Sequence, residues 1–222
     1  MTNTTVRDLR RLGDSLRTPA IEAAGPAREG ILAAARNEGL LDVAYAFADS
    51  PFGPLLVAVT PRGLIRLAYP NETTDDVLED LARRVSPRVL ESPRDTGEVR
   101  RELDEYFDGA RRDFHVDVDL SIVTGFTRRI LEAAERIPFG QVITYRTIAA
   151  EAGSPRGARA AGNALGSNPI PIVVPCHRVV HSGGGLGGYT GGLDRKVSLL
   201  SLEGVLREGQ TRIPGNRSSG PN

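Results

Sequence analysis

The densest chemistry in this sequence lies in Asn168-Pro-Ile-Pro-Ile-Val-Val-Pro-Cys-His-Arg-Val-Val180. Cys176 is the only cysteine of the chain, and it closes an apolar run predicted as a strand, directly before a histidine and an arginine. A lone cysteine is most often a small buried hydrophobe. A cationic setting, in contrast, lowers a thiol pKa and raises the thiolate fraction that a nucleophile requires. The residues favour a nucleophile without excluding a core cysteine. Neighbouring strand residues point to opposite faces, so Cys176 and His177 cooperate only through a bend or a bridging water.

The segment that follows, Ser182-Gly-Gly-Gly-Leu-Gly-Gly-Tyr-Thr-Gly-Gly192, contains an accidental match to a dinucleotide G-x-G-x-x-G pattern. No strand-turn-helix unit with a later acidic ribose ligand surrounds it, so the cofactor reading is rejected. So many glycines instead permit a tight loop whose backbone amides can approach a flat ligand. A final helix is expected over Leu193 to Gly204, with Glu203 near its end.

The elements that position these residues can be read from pattern. Thr124-Gly-Phe126 leads into a helix expected over Thr127–Arg136, with Ile130, Leu131 and Ala134 inward. Thr144 caps a helix over Tyr145–Ala152, and Gly153 ends it. Ser154-Pro155 predicts a restart, with serine as cap and proline at the first helical position. The second helix, Arg156–Leu165, is expected to bury Ala158, Ala161, Gly162 and Leu165, leaving Arg156, Arg159, Ala160 and Asn163 outside. The two form a helix-turn-helix shape, or equally an ordinary helical corner.

Before this, strands are expected over Asp42–Asp49, Leu55–Thr60 and Leu64–Tyr69, with Pro61-Arg-Gly63 closing a hairpin. Helices follow over Asn71–Arg84, capped by Asn71 or Thr73, and over Thr96–Phe107, with a short strand at Val89 between them. This is a small α+β unit ending near Leu120. Residues 1–41 read as a helical extension in two pieces, broken at Thr18-Pro19 and Gly25-Pro26. Residues 207–222 read as a flexible tail.

Composition bounds what such a chain can be. Its 222 residues are 40% hydrophobic and 25% charged, as in ordinary soluble proteins with room for a proper core. No apolar run approaches the length of a membrane span, and the polar N-terminus lacks a secretory signal, so a cytoplasmic location is expected. One cysteine excludes an internal disulfide and thiolate-rich zinc sites, and three histidines leave a metal centre unsupported. Net charge is zero, yet residues 1–120 carry 16 basic against 22 acidic residues, 121–206 carry 9 against 5, and 207–222 carry 3 against 1. Any nucleic-acid contact therefore belongs to the C-terminal half, unless the asymmetry is chance.

Pro175-Cys-His-Arg-Val179, together with Tyr145, Arg159-Ala-Ala-Gly162, Asn168-Pro169, Gly188-Tyr-Thr-Gly-Gly192, Lys196, Leu199-Leu200 and Glu203, resembles the O6-alkylguanine-DNA alkyltransferase family. The resemblance is dense over 126–204, looser over 42–120 and absent from 1–41. It implies an α/β (α+β) fold: a small ribonuclease-H-like domain over 42–120, then a mostly helical domain over 121–206 with a helix-turn-helix, active site and DNA contacts. It implies DNA repair by direct reversal, a single-turnover transfer of a methyl or small alkyl group from O6 of guanine, and O4 of thymine, to Cys176. The alternative within reach of the same fold is a non-catalytic DNA-damage binding module, which lacks the acceptor cysteine.

Carried over residue by residue, the resemblance makes Cys176 the acceptor, His177 its base through a water, and Glu203 the group that orients the imidazole. Tyr145 would donate to N3 of guanine. The backbone amide of Thr190 would meet O6, at a position commonly serine in the family. Carbonyls of Cys176 and Val179 would accept from the exocyclic amine, Tyr189 would line the base pocket, and Asn168 would tie the helix-turn-helix to the active-site strand. Arg159 would enter the space left by the flipped nucleotide, with Thr127, Arg146, Ser154 and Ser182 as further DNA contacts. Departures are Ile130, near where relatives often carry tryptophan, and Gly166, where some have arginine. No cofactor or metal is implied, and some relatives' zinc-binding cysteines and histidines are missing here. The partner is double-stranded DNA containing O6-alkylguanine, bound by a monomer away from membranes.

Overall fold

The chain divides into two units, Met1–Asp42 and Val43–Asn222. The computed structural model describes Gly30, residues 41–207, Gln210, Arg212 and Ile213. The two helical pieces expected within 1–41 lie outside the described residues, apart from Gly30 and Leu41. No helix among the described residues is long and apolar enough to cross a membrane.

The second unit opens on a sheet of β1 (Val43–Ala48), β2 (Leu55–Thr60), β3 (Gly63–Ala68) and β4 (Val89–Glu91), in the order β3-β2-β1-β4. β1, β2 and β3 pair antiparallel, whereas β4 joins β1 in parallel after the helix α1 (Thr74–Arg84). β2 is buried on both faces. Leu55 and Val57 enter the main core, while Leu56 and Ala58 face Val77 and Leu81 of α1. The register with β2 shifts opposite Ala58 and Val59, leaving Ile65 as an extra residue in β3. Such a bulge reverses the side-chain alternation, so Leu64 and Leu67 both reach the main core although three residues apart. Gly63, at φ +125°, leads into β3 where an added Cβ would lie 2.3 Å from the Asp117 carbonyl oxygen.

Thr73 caps α1, its hydroxyl accepting from the Asp76 amide. α2 (Gly97–Phe107) buries Val99, Leu103 and Tyr106. These contribute to one apolar cluster with Leu55 and Leu67 of the sheet, with Ile130 and Leu131 of α3 (Gly125–Glu135), and with Ile170 and Val174. Residues on both sides of Leu120 therefore share a core.

α4 (Tyr145–Glu151) and α5 (Ala158–Gly166) form the expected pair of short helices, with Thr144 capping the first through the Thr147 amide and Gly153, at φ +79°, ending it. The restart differs from expectation. Ser154, Pro155, Arg156 and Gly157 close a β-turn, with the Gly157 amide donating to the Ser154 carbonyl at 2.8 Å, and the helix begins only at Ala158. Serine first, proline second and glycine fourth suit a β-turn as well as a cap, and the turn prevails. Consequently α5 buries Ala161, Ala164 and Leu165, while Ala158 and Gly162 are half-buried.

A second correction concerns Ile170–Val174, which is a buried series of turns rather than a strand. Pro169, Pro171 and Pro175 remove three of the amides a ladder needs. The Val173 amide donates to the Pro171 carbonyl across Ile172, whose φ is +74°, a left-handed conformation rare for a β-branched residue. Cys176–Arg178 is one turn of 3-10 helix. It runs into β6 (Val179–Val180), which pairs in parallel with β5 (Ile143–Thr144) just before Tyr145. α6 (Leu193–Leu202) completes the fold, with Glu203 as its C-cap.

Candidate active site

The 3-10 turn supplies the bend that Cys176 and His177 require. Cys176 lines a cavity of about 650 Å³ bounded by α4, α5 and the glycine-rich segment, with Tyr145, Arg159, Tyr189 and Thr190 also in its wall. His177 is fully buried behind the cysteine, and its Nε2 lies 3.0 Å from Glu203 Oε1. An ionised carboxylate only accepts, so the imidazole proton sits on Nε2 and Nδ1 carries the lone pair. Nδ1 is buried with no hydrogen-bond partner among the described residues.

Burial would raise the Glu203 carboxyl, but hydrogen bonds from His177 and Arg178, with the Arg178 charge, override it and hold the group down at about 2. Arg178 donates from Nε to Oε2 at 2.9 Å and from Nη2 to Oε1 at 2.8 Å, and its Nη1 donates to the Ile137 carbonyl. The Tyr106 hydroxyl donates to Oε1 at 2.9 Å, and the Gly140 amide to Oε2 at 3.4 Å.

This network overturns one expectation. The Arg178 cation is spent on Glu203, and burial pushes the Cys176 thiol up rather than down, against the opposing influence of Asn168, Lys196 and the local amides. His177 is lowered, first by burial and against Glu203, so it is a neutral base. Cys176 therefore rests as a neutral thiol rather than a thiolate.

Lys196, the only lysine in the chain, is fully buried. Its Nζ donates to the carbonyls of Val179 at 2.7 Å, Leu186 and Gly188, tying β6 to the glycine-rich segment. Burial lowers its ammonium to about 8. The Val179 carbonyl, expected to face the substrate amine, thus already accepts one hydrogen bond.

Tyr145 stands at the start of α4, its ring 5.0 Å from His181 and its hydroxyl 3.5 Å from the Gly188 carbonyl. Burial raises its phenol, so it stays a donor near neutrality. Gly187, at φ +72°, is required there because a Cβ would lie 2.5 Å from the Tyr145 hydroxyl. Asn168 is buried, donating from Nδ2 to the Val174 carbonyl at 2.9 Å and accepting from the Ile170 amide at 3.0 Å. It spans the turns before Cys176 in place of the expected strand. The Thr190 hydroxyl donates to the Gly166 carbonyl at 2.7 Å, closing the glycine-rich segment onto α5.

Arg159 is exposed on α5 at the cavity wall. Arg146 and Ser182 are exposed, while Thr127 and Ser154 are half-buried, and none of these four lines the cavity. Sequence reasoning gave no role to Tyr106, Tyr69 or the Arg178–Glu203 pair. Only the arginine next to His177 carried any local signal.

Residues 43–120 match the ribonuclease-like domain of 6-O-methylguanine DNA methyltransferase, and residues 125–205 match the DNA binding domain of the same protein. The methylated-DNA–protein-cysteine methyltransferase of Mycolicibacterium paratuberculosis is 39% identical over 161 residues, which is 72% of this chain and 92% of the relative. That of Methanosarcina barkeri is 39% identical over 163 residues, 72% of this chain and 96% of the relative. A crystal structure of Mycobacterium tuberculosis OGT in complex with DNA superposes with a TM-score of 0.63 at 38% identity, covering 72% of this chain and 92% of that one. Both domains match in order, the second holding a cavity lined by a buried cysteine that is followed by a histidine–glutamate pair, and the chain belongs to the 6-O-methylguanine DNA methyltransferase family.

Proposed function

We propose that this protein repairs double-stranded DNA by direct reversal, moving a methyl or small alkyl group from O6 of guanine, and from O4 of thymine, to Cys176. The observation that carries this reading is the single thiol in the wall of a cavity of about 650 Å³, next in sequence to a buried imidazole whose Nδ1 has no hydrogen-bond partner among the described residues. The Cys176 proton passes to His177, through a water, as sulfur attacks the alkyl carbon. The carbon–O6 bond breaks, and its electron pair leaves with the guanine. Tyr145 supplies a hydrogen bond to N3, and the Thr190 amide supplies one to O6, as charge grows on the base. Glu203 stabilises the imidazolium.

The target base reaches the cavity only when flipped from the duplex. Arg159 fills the space it leaves, with Thr127, Arg146, Ser154 and Ser182 on the surrounding backbone. The thioether product is not a leaving group, so each molecule acts once, as a monomer. A cytoplasmic location suits a mechanism that needs a reduced thiol. Mass spectrometry after excess methylated duplex tests the reading: one adduct of about 14 Da, a single methylene, on Cys176 is expected. Repeated turnover, or an adduct elsewhere, overturns it. Cys176→Ser should abolish transfer and retain DNA binding, whereas the non-catalytic alternative forms no adduct at all.

A further inference from the structure

Glu203 Oε1 serves three residues from two distant parts of the chain. His177 Nε2 lies at 3.0 Å, Arg178 Nη2 at 2.8 Å and the Tyr106 hydroxyl at 2.9 Å. A carboxylate oxygen has about two lone-pair directions, so these donors draw on the same charge. Tyr106 belongs to α2, in the half of the chain that holds neither the cysteine nor the cavity wall. It is fully buried, and its ring is fixed by Phe107, Phe114 and Phe139. Burial, and then the Glu203 charge, hold its phenol far above the ordinary value, so it remains a donor at every working pH.

We propose that Tyr106 is a positioning residue of the alkyl-transfer site: by sharing the Glu203 oxygen used by His177, it limits how strongly Glu203 raises the basicity of the imidazole. It thereby sets the pH below which His177 is already protonated and cannot take the Cys176 proton. This inference rests on the transfer reading above.

The sign follows from the groups around the imidazole. Arg178 and Cys176 share its turn, Glu203 caps α6, Lys196 approaches from α6, and Tyr189 of the glycine-rich segment sets its ring 6.4 Å away. Arg178 and Lys196 lower His177, Glu203 raises it, and Tyr189 is a neutral phenol. Removing the Tyr106 hydroxyl leaves more of the Glu203 charge to His177. The imidazolium then persists to higher pH.

Tyr106→Phe keeps the ring and its packing and deletes one oxygen. In the full-length protein, single-turnover transfer from methylated duplex across about pH 5 to 9 should show an acid limb moved up by roughly half a unit to one unit. Nitrogen NMR of the His177 imidazole should report the same upward shift without relying on chemistry. Site-specific 3-fluorotyrosine at position 106, a stronger donor that preserves the fold, should move both readouts down. A rate lowered equally at every pH, with an unchanged imidazole titration, overturns the proposal and leaves Tyr106 as packing. Absence of transfer in the unaltered protein would overturn the alkyl-transfer reading instead, while the imidazole titration still decides whether Tyr106 governs His177.

Discussion

The hydroxyls of Tyr69 and Tyr189 lie 2.7 Å apart, joining the residue after β3 to the glycine-rich segment that walls the cavity. Arg195 stacks over the Tyr69 ring at 4.6 Å and donates to Asn71 and to the Gly191 carbonyl. Gly191 fits only without a Cβ, which would lie 2.7 Å from Tyr69 and 2.8 Å from Tyr189. Tyr69→Phe removes one hydrogen bond of about 1 kcal/mol, so transfer should slow by up to about fivefold. Tyr189 lines the cavity, so the slowing should be equal on duplex and on free O6-benzylguanine. Transfer kinetics on the two substrates check this, and a loss confined to duplex would place Tyr69 in DNA contact instead.

Glu203 also carries stability. Its carboxyl is held at about 2 in the fold, against an ordinary value of 4.5. Between those values the unfolded state binds the extra proton, so stability is complete above about pH 4.5 and drains away as pH falls toward about 2. Glu203→Gln removes that contribution and leaves the Arg178 cation buried without its partner. We expect a loss on the order of 3 kcal/mol near pH 7, shrinking as pH falls through this window, together with slower transfer. Urea unfolding at about pH 7 and about pH 3 measures it. An equal loss at both would show that packing, not charge, is what the carboxylate supplies.

Local chemistry made much of the site legible. Pro175-Cys-His-Arg178 announced a thiol with a base beside it, and Thr144 and Gly153 marked the bounds of α4 because caps act within a few residues. The three strands of the hairpin sheet and both flanking helices followed from periodicity. What escaped depends on distance in sequence. Tyr106 meets Glu203 across 97 residues and Tyr69 meets Tyr189 across 120, and no local pattern encodes such pairs. The β5–β6 pairing, two residues long, is too short to leave a period. Ser154-Pro155 misled because one set of residues satisfies both a cap and a turn. The apolar Ile170–Val174 run read as a strand, although its prolines already argued against a ladder.

The tail expected to be free over 207–222 returns to the site where it is described. Arg212 bridges Gly185, the Ile213 amide donates to the Gly184 carbonyl at 3.0 Å, and Arg212 Nη2 donates to the Gly183 carbonyl. Ile213 also packs with Val180, Leu186, Leu200 and Leu206. These contacts fasten the loop that follows His181. Truncation after Arg207 should speed amide hydrogen exchange over residues 183–187 while leaving the helices α3 and α5 protected. Gly184→Ala should act alike, since its Cβ would lie 2.4 Å from the Ile213 carbonyl oxygen at φ +80°. Unchanged exchange in the truncated chain would mean that Lys196 alone holds the loop.

A role for Arg159 in base flipping would separate lesion search from chemistry, and substitution tests it. α5 presents Arg159, Ala160, Asn163 and Gly166 to solvent, a face small enough for close approach to a sugar-phosphate backbone. A helix in the minor groove reads little sequence, which suits a protein that must find damage anywhere. Among the described arginines and lysines, Arg159 alone lines the cavity, where a long planar cation can occupy the gap left by a flipped base. Unstacking costs a few kcal/mol, and stacking plus a hydrogen bond to the orphaned partner offsets part of it. Free O6-benzylguanine needs no flipping. Arg159→Ala should therefore slow transfer from duplex by about tenfold or more, and from the free base by no more than about twofold, tenfold being about 1.4 kcal/mol of barrier. Placing the lesion opposite a mismatch should restore part of the rate, because unpairing is then easier. Equal slowing on duplex and free base would assign Arg159 to the shape of the pocket and remove it from flipping.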